Sequence, residues 1–109
     1  MTEALAALED QYFYFQQAVA DLTDEDAPQD VLQALRTAVA QSRTNYWKAI
    51  NKVLHDDDPE VASLVEQMKT SQENIDAALK KINQVAKILK AITKAIDVGS
   101  ELAAKAVAL

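Results

Sequence analysis

The chain contains no cysteine, one glycine and two prolines among its 109 residues. Without cysteine it has no disulfides, thiolate metal sites or cysteine nucleophiles. Sheets with several hairpins depend on glycine and proline at their turns, so an all-β or α/β fold is disfavoured. Half of the residues are apolar and 26% are charged, which is typical of a chain that folds around one core. We expect a single helical domain over residues 1–109.

The sequence also lacks long apolar runs. Its first residues show no basic segment followed by an apolar stretch, so no secretory signal is expected. The most apolar region, residues 86–109, is interrupted by six charged side chains, too many for a membrane-spanning helix. A cytoplasmic location is the expectation.

Two amphipathic helices are predicted in the first half of the chain. Apolar residues recur at alternating steps of three and four, first from Leu5 to Leu22 and again from Leu32 to Val53. These stripes predict helix 1 over residues 3–22 and helix 2 over 28–54. An acidic stretch ahead of Pro28 is typical of a helix start, with Asp26 as the expected N-cap.

The second half of the chain predicts one long helix. Asp58, Pro59 and Glu60 supply an N-cap, a first-turn proline and a first-turn acid. Apolar residues then follow a heptad pattern without a slip, passing through a capping-box-like sequence at residues 70–73 that lacks glycine or proline. The sequence therefore predicts an all-α, antiparallel three-helix bundle whose third helix covers 59–97. Gly99 indicates either close helix packing or a short fourth helix in the tail, 100–109.

The predicted third helix is longer than its neighbours. Helix 2 would span ~40 Å and residues 59–97 ~58 Å, so everything after about residue 86 would overhang. The apolar arc widens in this overhang, and burying it is worth ~6–10 kcal/mol. A second copy, a foreign protein or the chain's own tail could cover it. The predicted partner-binding residues there are Ile88, Leu89, Ile92, Ile96 and Leu102.

Aromatic residues provide further candidates for a partner surface. Residues 12–15 are all aromatic, and Tyr12 and Phe15 lie on the core stripe of helix 1. Phe13 and Tyr14 point away from that stripe, and aromatic side chains are enriched at the centres of interfaces. We therefore predict Phe13 and Tyr14 as partner-binding residues. Trp47 is a third candidate, although its ring could also close the side of the core.

Residues suited to catalysis are few. His55 is the only histidine and precedes three aspartates, residues 56–58. Such a run lacks the alternating spacing of a calcium loop, and the inward helix positions that a helical metal site would use are apolar. The aspartates fit the start of the next helix instead. We expect no enzymatic activity, no metal and no cofactor.

Charge is distributed unevenly along the chain. Residues 1–79 contain 5 basic and 15 acidic side chains, whereas 80–109 contain 6 basic and 2 acidic ones. The net charge of −6 disfavours nucleic acid as a partner. The sequence favours a non-enzymatic protein–protein interaction module, of the adaptor, chaperone or neutralising-partner type, with a homodimer preferred over a foreign partner. The alternative is a membrane-surface protein, because the lysine-rich segment 80–109 could lie on anionic lipid.

Overall fold

The computed structural model describes residues 3–52 and 54–107, which form four α-helices and no strand. Helix α1 covers Glu3–Asp24, α2 covers Gln29–Ala49, α3 covers Pro59–Leu79 and α4 covers Val85–Val107. The prediction of an all-α bundle is confirmed. The prediction of one long helix over 59–97 is wrong, because a turn at residues 80–84 divides that segment into α3 and α4.

The four helices pack side by side in the order α1, α2, α4, α3. Large contacts join α1 to α2, α2 to α4 and α4 to α3, while the contact that closes the bundle, between α1 and α3, is smaller. The start of α1, the end of α2, the start of α3 and the end of α4 share one apolar cluster. Helices α1 and α3 therefore run in one direction and α2 and α4 in the other.

The core consists of two apolar clusters separated by a polar layer. The first cluster includes Leu8, Val61 and Leu102, and the second includes Phe15 and Ile88. Between them on the first three helices lie the polar side chains that the bundle buries: Gln11, Ser42, Asn45 and Ser71.

Buried polar groups destabilise a fold unless they find hydrogen-bond partners, and each residue of this layer has at least one. The Gln11 amide nitrogen donates to the Ala95 carbonyl oxygen at 2.9 Å, and the Asn45 amide nitrogen donates to the Ser100 hydroxyl at 3.2 Å. The hydroxyls of Ser42 and Ser71 donate to backbone carbonyls one turn earlier in their own helices. The layer thereby ties α1 and α2 to the middle of α4.

The turn between α3 and α4 is built without glycine or proline. The Lys81 amide donates to the Ala78 carbonyl at 3.1 Å, and the Gln84 amide donates to the Lys81 carbonyl at 2.9 Å. The Gln84 carbonyl then accepts from Ile88 at 3.2 Å, which begins α4. A heptad pattern is equally satisfied by one straight helix and by a hairpin that turns both halves toward one core, so the pattern did not reveal this break.

The break gives four helices of nearly equal length, 21 to 23 residues, so that no overhang remains. Helix α4 continues through Gly99, and the separate tail helix predicted for 100–109 is absent as far as residue 107. Gly99 is buried within α4, in agreement with the close-packing interpretation. Residues 53, 108 and 109, which the sequence placed in helix 2 and the tail, lie outside the described residues.

Of the two predicted N-caps, Asp58 is confirmed and Asp26 is wrong. Asp58 is the N-cap of α3: its carboxylate accepts from the Glu60 amide at 2.8 Å, and Pro59 follows in the first turn. Asp26 is not the N-cap of α2. It has a left-handed backbone, with φ of 57°, and the cap position belongs to Pro28, without a side-chain hydrogen bond.

The connection between α2 and α3 closes one end of the bundle through its residues 54–58. Helix α2 ends at Ala49 and not at the predicted residue 54. The Asp56 carboxylate accepts from the amides of Glu3 and Ala4, at 2.9 and 3.2 Å, and so caps the start of α1. The His55 amide donates to the Ala106 carbonyl at 3.0 Å, near the end of α4. This connection thus forms hydrogen bonds with the start of α1 and with the end of α4, both of which are far from it in the sequence.

Candidate partner-binding surface

The C-terminal apolar face lies against the chain's own helices. Ile88 and Ile92 are buried in the second cluster, and Leu102 is buried in the first. Ile96 is partly buried against the second cluster, and Leu89 is half-buried. The fold brings all of these residues except Leu89 to the core side of α4, because the hairpin at 80–84 returns that face to α2 and α3.

A different apolar surface is exposed on α1 and α2. Among the described residues the large hydrophobic side chains that remain exposed are Phe13, Trp47 and Ile50, with 52%, 62% and 42% of their areas accessible. Phe13 lies on α1, Trp47 lies on α2 and Ile50 directly follows α2. Together with Tyr12 and Tyr46, which join the two helices, these residues form what we call the aromatic surface.

Ring contacts cross the boundary between the two helices. The Tyr12 ring stacks on Phe13 with 5.6 Å between centroids and on Tyr46 with 6.4 Å, at interplanar angles of 28° and 22°. The Tyr46 hydroxyl donates to a Glu9 carboxylate oxygen at 2.8 Å, and this hydrogen bond raises the pKa of Tyr46. The Gln16 amide donates to the Tyr12 hydroxyl at 2.9 Å. Each tyrosine therefore has a ring contact and a hydrogen bond within the chain that hold it at the boundary between α1 and α2.

Trp47 is held by a charged neighbour. The Arg43 guanidinium lies one helical turn away, 5.2 Å from the centre of the indole ring, which is a cation–π distance. The aromatic surface is thus bordered by a cation, Arg43, and by a carboxylate, Glu9. It offers a partner exposed aromatic side chains with both signs of charge at the edge.

Tyr14 lies on the other side of α1, away from the aromatic surface. Its hydroxyl donates to an Asp76 carboxylate oxygen on α3 at 2.5 Å. Burial, together with this hydrogen bond and the negative charge of Asp76, raises the pKa of Tyr14 above its usual range. Of the three aromatic candidates from the sequence, the fold places Phe13 and Trp47 on one surface and assigns Tyr14 to the α1–α3 contact.

Sequence reasoning missed three members of the aromatic surface. Tyr12 and Tyr46 lie on the core stripes of their helices, yet each is only partly buried, because it stands at the edge where α1 meets α2. Ile50 follows Tyr46 and Trp47 at helical steps of four and three, and this spacing was the available signal. Ile50 was not predicted as a surface residue, because the apolar stripe of helix 2 was extended to residue 53 without it.

Metal-binding clusters and membrane-spanning helices are absent from the described part of the chain. No three histidine, cysteine or acidic side chains there are grouped so that they could hold a metal ion. None of the helices, within those same residues, is long and apolar enough to cross a membrane. His55 is half-buried in the connection between α2 and α3, where its side-chain Nε2 lacks a hydrogen-bond partner.

Comparisons of the chain with protein-family models, with curated proteins and with solved structures return no match. Function is therefore inferred from the residues of this chain alone.

Proposed function

We propose that this protein is a non-enzymatic helical interaction module that binds a protein partner through the aromatic surface, and that this partner is a second copy of the chain. The observation that carries the proposal is the exposure of Phe13 and Trp47, more than half in each case, on rings that their neighbours already hold. Exposed aromatic side chains that are rigid before binding are suited to interfaces, because little conformational entropy is lost.

The exposed side chains supply part of the free energy that an interface needs. Fully burying a large apolar side chain is worth roughly 1.5–3 kcal/mol, and about half of each of Phe13, Trp47 and Ile50 is still exposed. Their remaining burial would supply roughly 2–5 kcal/mol per chain. Two chains contribute twice, so a two-fold dimer gains more from the same three residues than a partner without exposed aromatics would.

Charge also favours a second copy. In a two-fold dimer one surface must complement itself, so acidic and basic groups need to occur on the same surface. Glu9 and Arg43 meet that condition at the edge of the aromatic surface. Aromatic rings can then stack on aromatic rings at the centre.

This proposal moves the interface away from the C-terminal face that the sequence suggested. Ile88, Ile92 and Leu102 stabilise the bundle itself, so a partner could reach them only if α4 left the core. The same holds for the membrane alternative, since the apolar face that would lie on lipid is packed against α2 and α3. The exposed aromatic residues provide a surface without any such opening.

The experiment is a measurement of molar mass by light scattering over a range of concentrations. We expect the wild type to approach twice 12.0 kDa as concentration rises, and the variant Phe13→Ser/Trp47→Ser to stay at the mass of one chain. The control variant Ala20→Ser/Gln33→Ser changes two exposed positions on the same helices and should dimerise like the wild type. A wild type that stays monomeric throughout contradicts the second copy as partner.

A further inference from the structure

A second surface lies on the opposite side of α1, where α1 faces α3. Two depressions follow each other along this α1–α3 groove, of about 190 and 280 Å³. The first is mainly apolar, with Ala6, Ala7 and Met68 in its lining and Glu3, Asp10 and Lys69 around them. The second is more polar: Ala18, Leu22 and Leu79 lie among Asp21, Glu25 and Lys80.

The groove is open because α1 and α3 are the least closely packed neighbours in the bundle. Alanines line the α1 side of the first depression, so their small side chains leave the floor accessible. The hydrogen bond from the Tyr14 hydroxyl to Asp76 crosses from α1 to α3 at the end of the second depression nearest the first. It separates the two depressions and holds the two helices together at that point.

The side of the molecule formed by α1 and α3 differs in charge from the side formed by α2 and α4. Helix α1 contains five acidic and no basic side chains, and α3 contains four acidic side chains and one lysine. Helices α2 and α4 together contain seven basic and three acidic side chains. The α1–α3 layer is therefore strongly acidic, and the α1–α3 groove combines an apolar floor with a predominantly acidic rim.

We infer that the α1–α3 groove binds a basic amphipathic helix of a foreign protein. An amphipathic helix places its apolar face in a groove and its charged residues at the edges, so the acidic rim selects lysine and arginine there. Ala7 and Ala18 mark the two depressions and are eleven residues apart, a rise of about 16 Å. Eleven residues are close to three turns, so one face of the bound helix carries its two apolar anchors at i and i+11.

This surface is separate from the aromatic surface and does not depend on the function proposed above. A basic helix can occupy the groove on a monomer or on a dimer, because α1 presents the two surfaces on opposite flanks. The two proposals can therefore fail independently.

Three fluorescently labelled synthetic peptides test the inference by anisotropy titration with the full chain. The basic peptide has leucines at i, i+4, i+7 and i+11 and lysines elsewhere. The acidic peptide replaces every lysine by glutamate, and the scrambled peptide keeps the composition of the basic one but spreads its leucines around the helix. We expect the basic peptide to bind, the scrambled peptide to bind at least about tenfold more weakly, and the acidic peptide not to bind.

Charge-reversal variants locate the site. Asp21→Lys/Glu25→Lys changes the rim of the groove, whereas Asp97→Lys/Glu101→Lys makes the same change in net charge at exposed positions of α4. The first variant should weaken binding of the basic peptide about tenfold at low salt, and the second by no more than about twofold. The variant Phe13→Ser/Trp47→Ser should bind the peptide like the wild type.

The inference would be overturned if the basic peptide failed to bind, if the scrambled peptide bound equally tightly, or if both charge-reversal variants weakened binding equally. Loss of peptide binding in Phe13→Ser/Trp47→Ser would also overturn it, because the peptide would then be using the aromatic surface.

Discussion

The side-chain amide of Gln11 on α1 occupies the space that a Cβ atom at residue 99 of α4 would need. A Cβ built on Gly99 would lie 2.3 Å from the Gln11 Oε1 and 3.1 Å from its Cδ. The same amide donates from Nε2 to the Ala95 carbonyl oxygen, one turn before Gly99. The glutamine therefore reaches the backbone of α4 only because residue 99 has no side chain.

This relationship predicts the effect of Gly99→Ala. Alanine favours a helix interior by about 1 kcal/mol over glycine, but here its methyl group would collide with a buried amide. Overpacking costs roughly 1–3 kcal/mol, so after the helix gain we expect a net loss of up to about 2 kcal/mol in the free energy of unfolding, measured by urea denaturation. The double variant Gln11→Ala/Gly99→Ala should be more stable than the sum of the two single changes implies. A Gly99→Ala chain that is more stable than the wild type by about 1 kcal/mol, the full helix gain, would contradict the close contact.

Asp56 should contribute to stability through the start of α1. Its carboxylate accepts from two backbone amides, so Asp56→Ala should lower the free energy of unfolding by about 1 kcal/mol, a typical value for a lost cap. Asp57→Ala is the matched control, because Asp57 is an exposed neighbour in the same connection. Equal effects of the two substitutions in chemical denaturation would show that the cap contributes nothing measurable.

A substitution at Ile92 tests whether the C-terminal apolar face belongs to the core or to the surface. Ile92 is 4% exposed in the second cluster, so Ile92→Asp places a carboxylate in the core and should lower the free energy of unfolding by about 3–5 kcal/mol. Thr93→Asp introduces the same carboxylate at an exposed position of α4 and should cost less than about 1 kcal/mol. Thermal unfolding followed by circular dichroism compares the two. A mild effect of Ile92→Asp would mean that α4 does not pack in this way.

Tyr14 should make stability depend on pH in alkaline solution. The folded state raises the pKa of Tyr14, because its protonated hydroxyl donates to Asp76 in a partly buried site. Its contribution is therefore complete below the unfolded pKa, about 10, and is lost as pH rises through the folded pKa.

Urea denaturation at about pH 8 and pH 11 measures that contribution. Tyr14→Phe should cost roughly 1 kcal/mol at the lower pH, and its stability should fall less steeply with pH than that of the wild type. Some decline should remain, because the pKa of Tyr46 is also raised. Identical pH dependence in the two proteins would contradict a stabilising hydrogen bond at Tyr14.

The sequence correctly predicted features that depend on one residue and its immediate neighbours in the chain. Asp58 and Pro59 predicted the start of α3 correctly, because an N-cap and a first-turn proline stabilise a helix within a single turn. Phe13 was predicted to lie at the surface because helical periodicity alone places it away from the core stripe, and its side chain is exposed.

Features that depend on distant parts of the chain could not be predicted in the same way. The break at 80–84 satisfies the same heptad pattern as a straight helix, and the decisive quantity is the length of the neighbouring helices. Gln11 was not placed in the core, because its burial depends on a glycine 88 positions later in the chain. Asp56 was read as an acid for the following helix, whereas it caps α1 across the end of the bundle.

The measurement that tests the central claim most directly uses Trp47, which is the only tryptophan in the chain and lies on the aromatic surface. Quenching of its fluorescence by acrylamide should increase as the protein is diluted from about 100 μM to about 0.1 μM, because dissociation of the dimer returns the indole ring to solvent. The variant Phe13→Ser should show the stronger quenching at every concentration. Quenching that is independent of concentration in the wild type, together with the mass of a single chain, would contradict self-association through this surface.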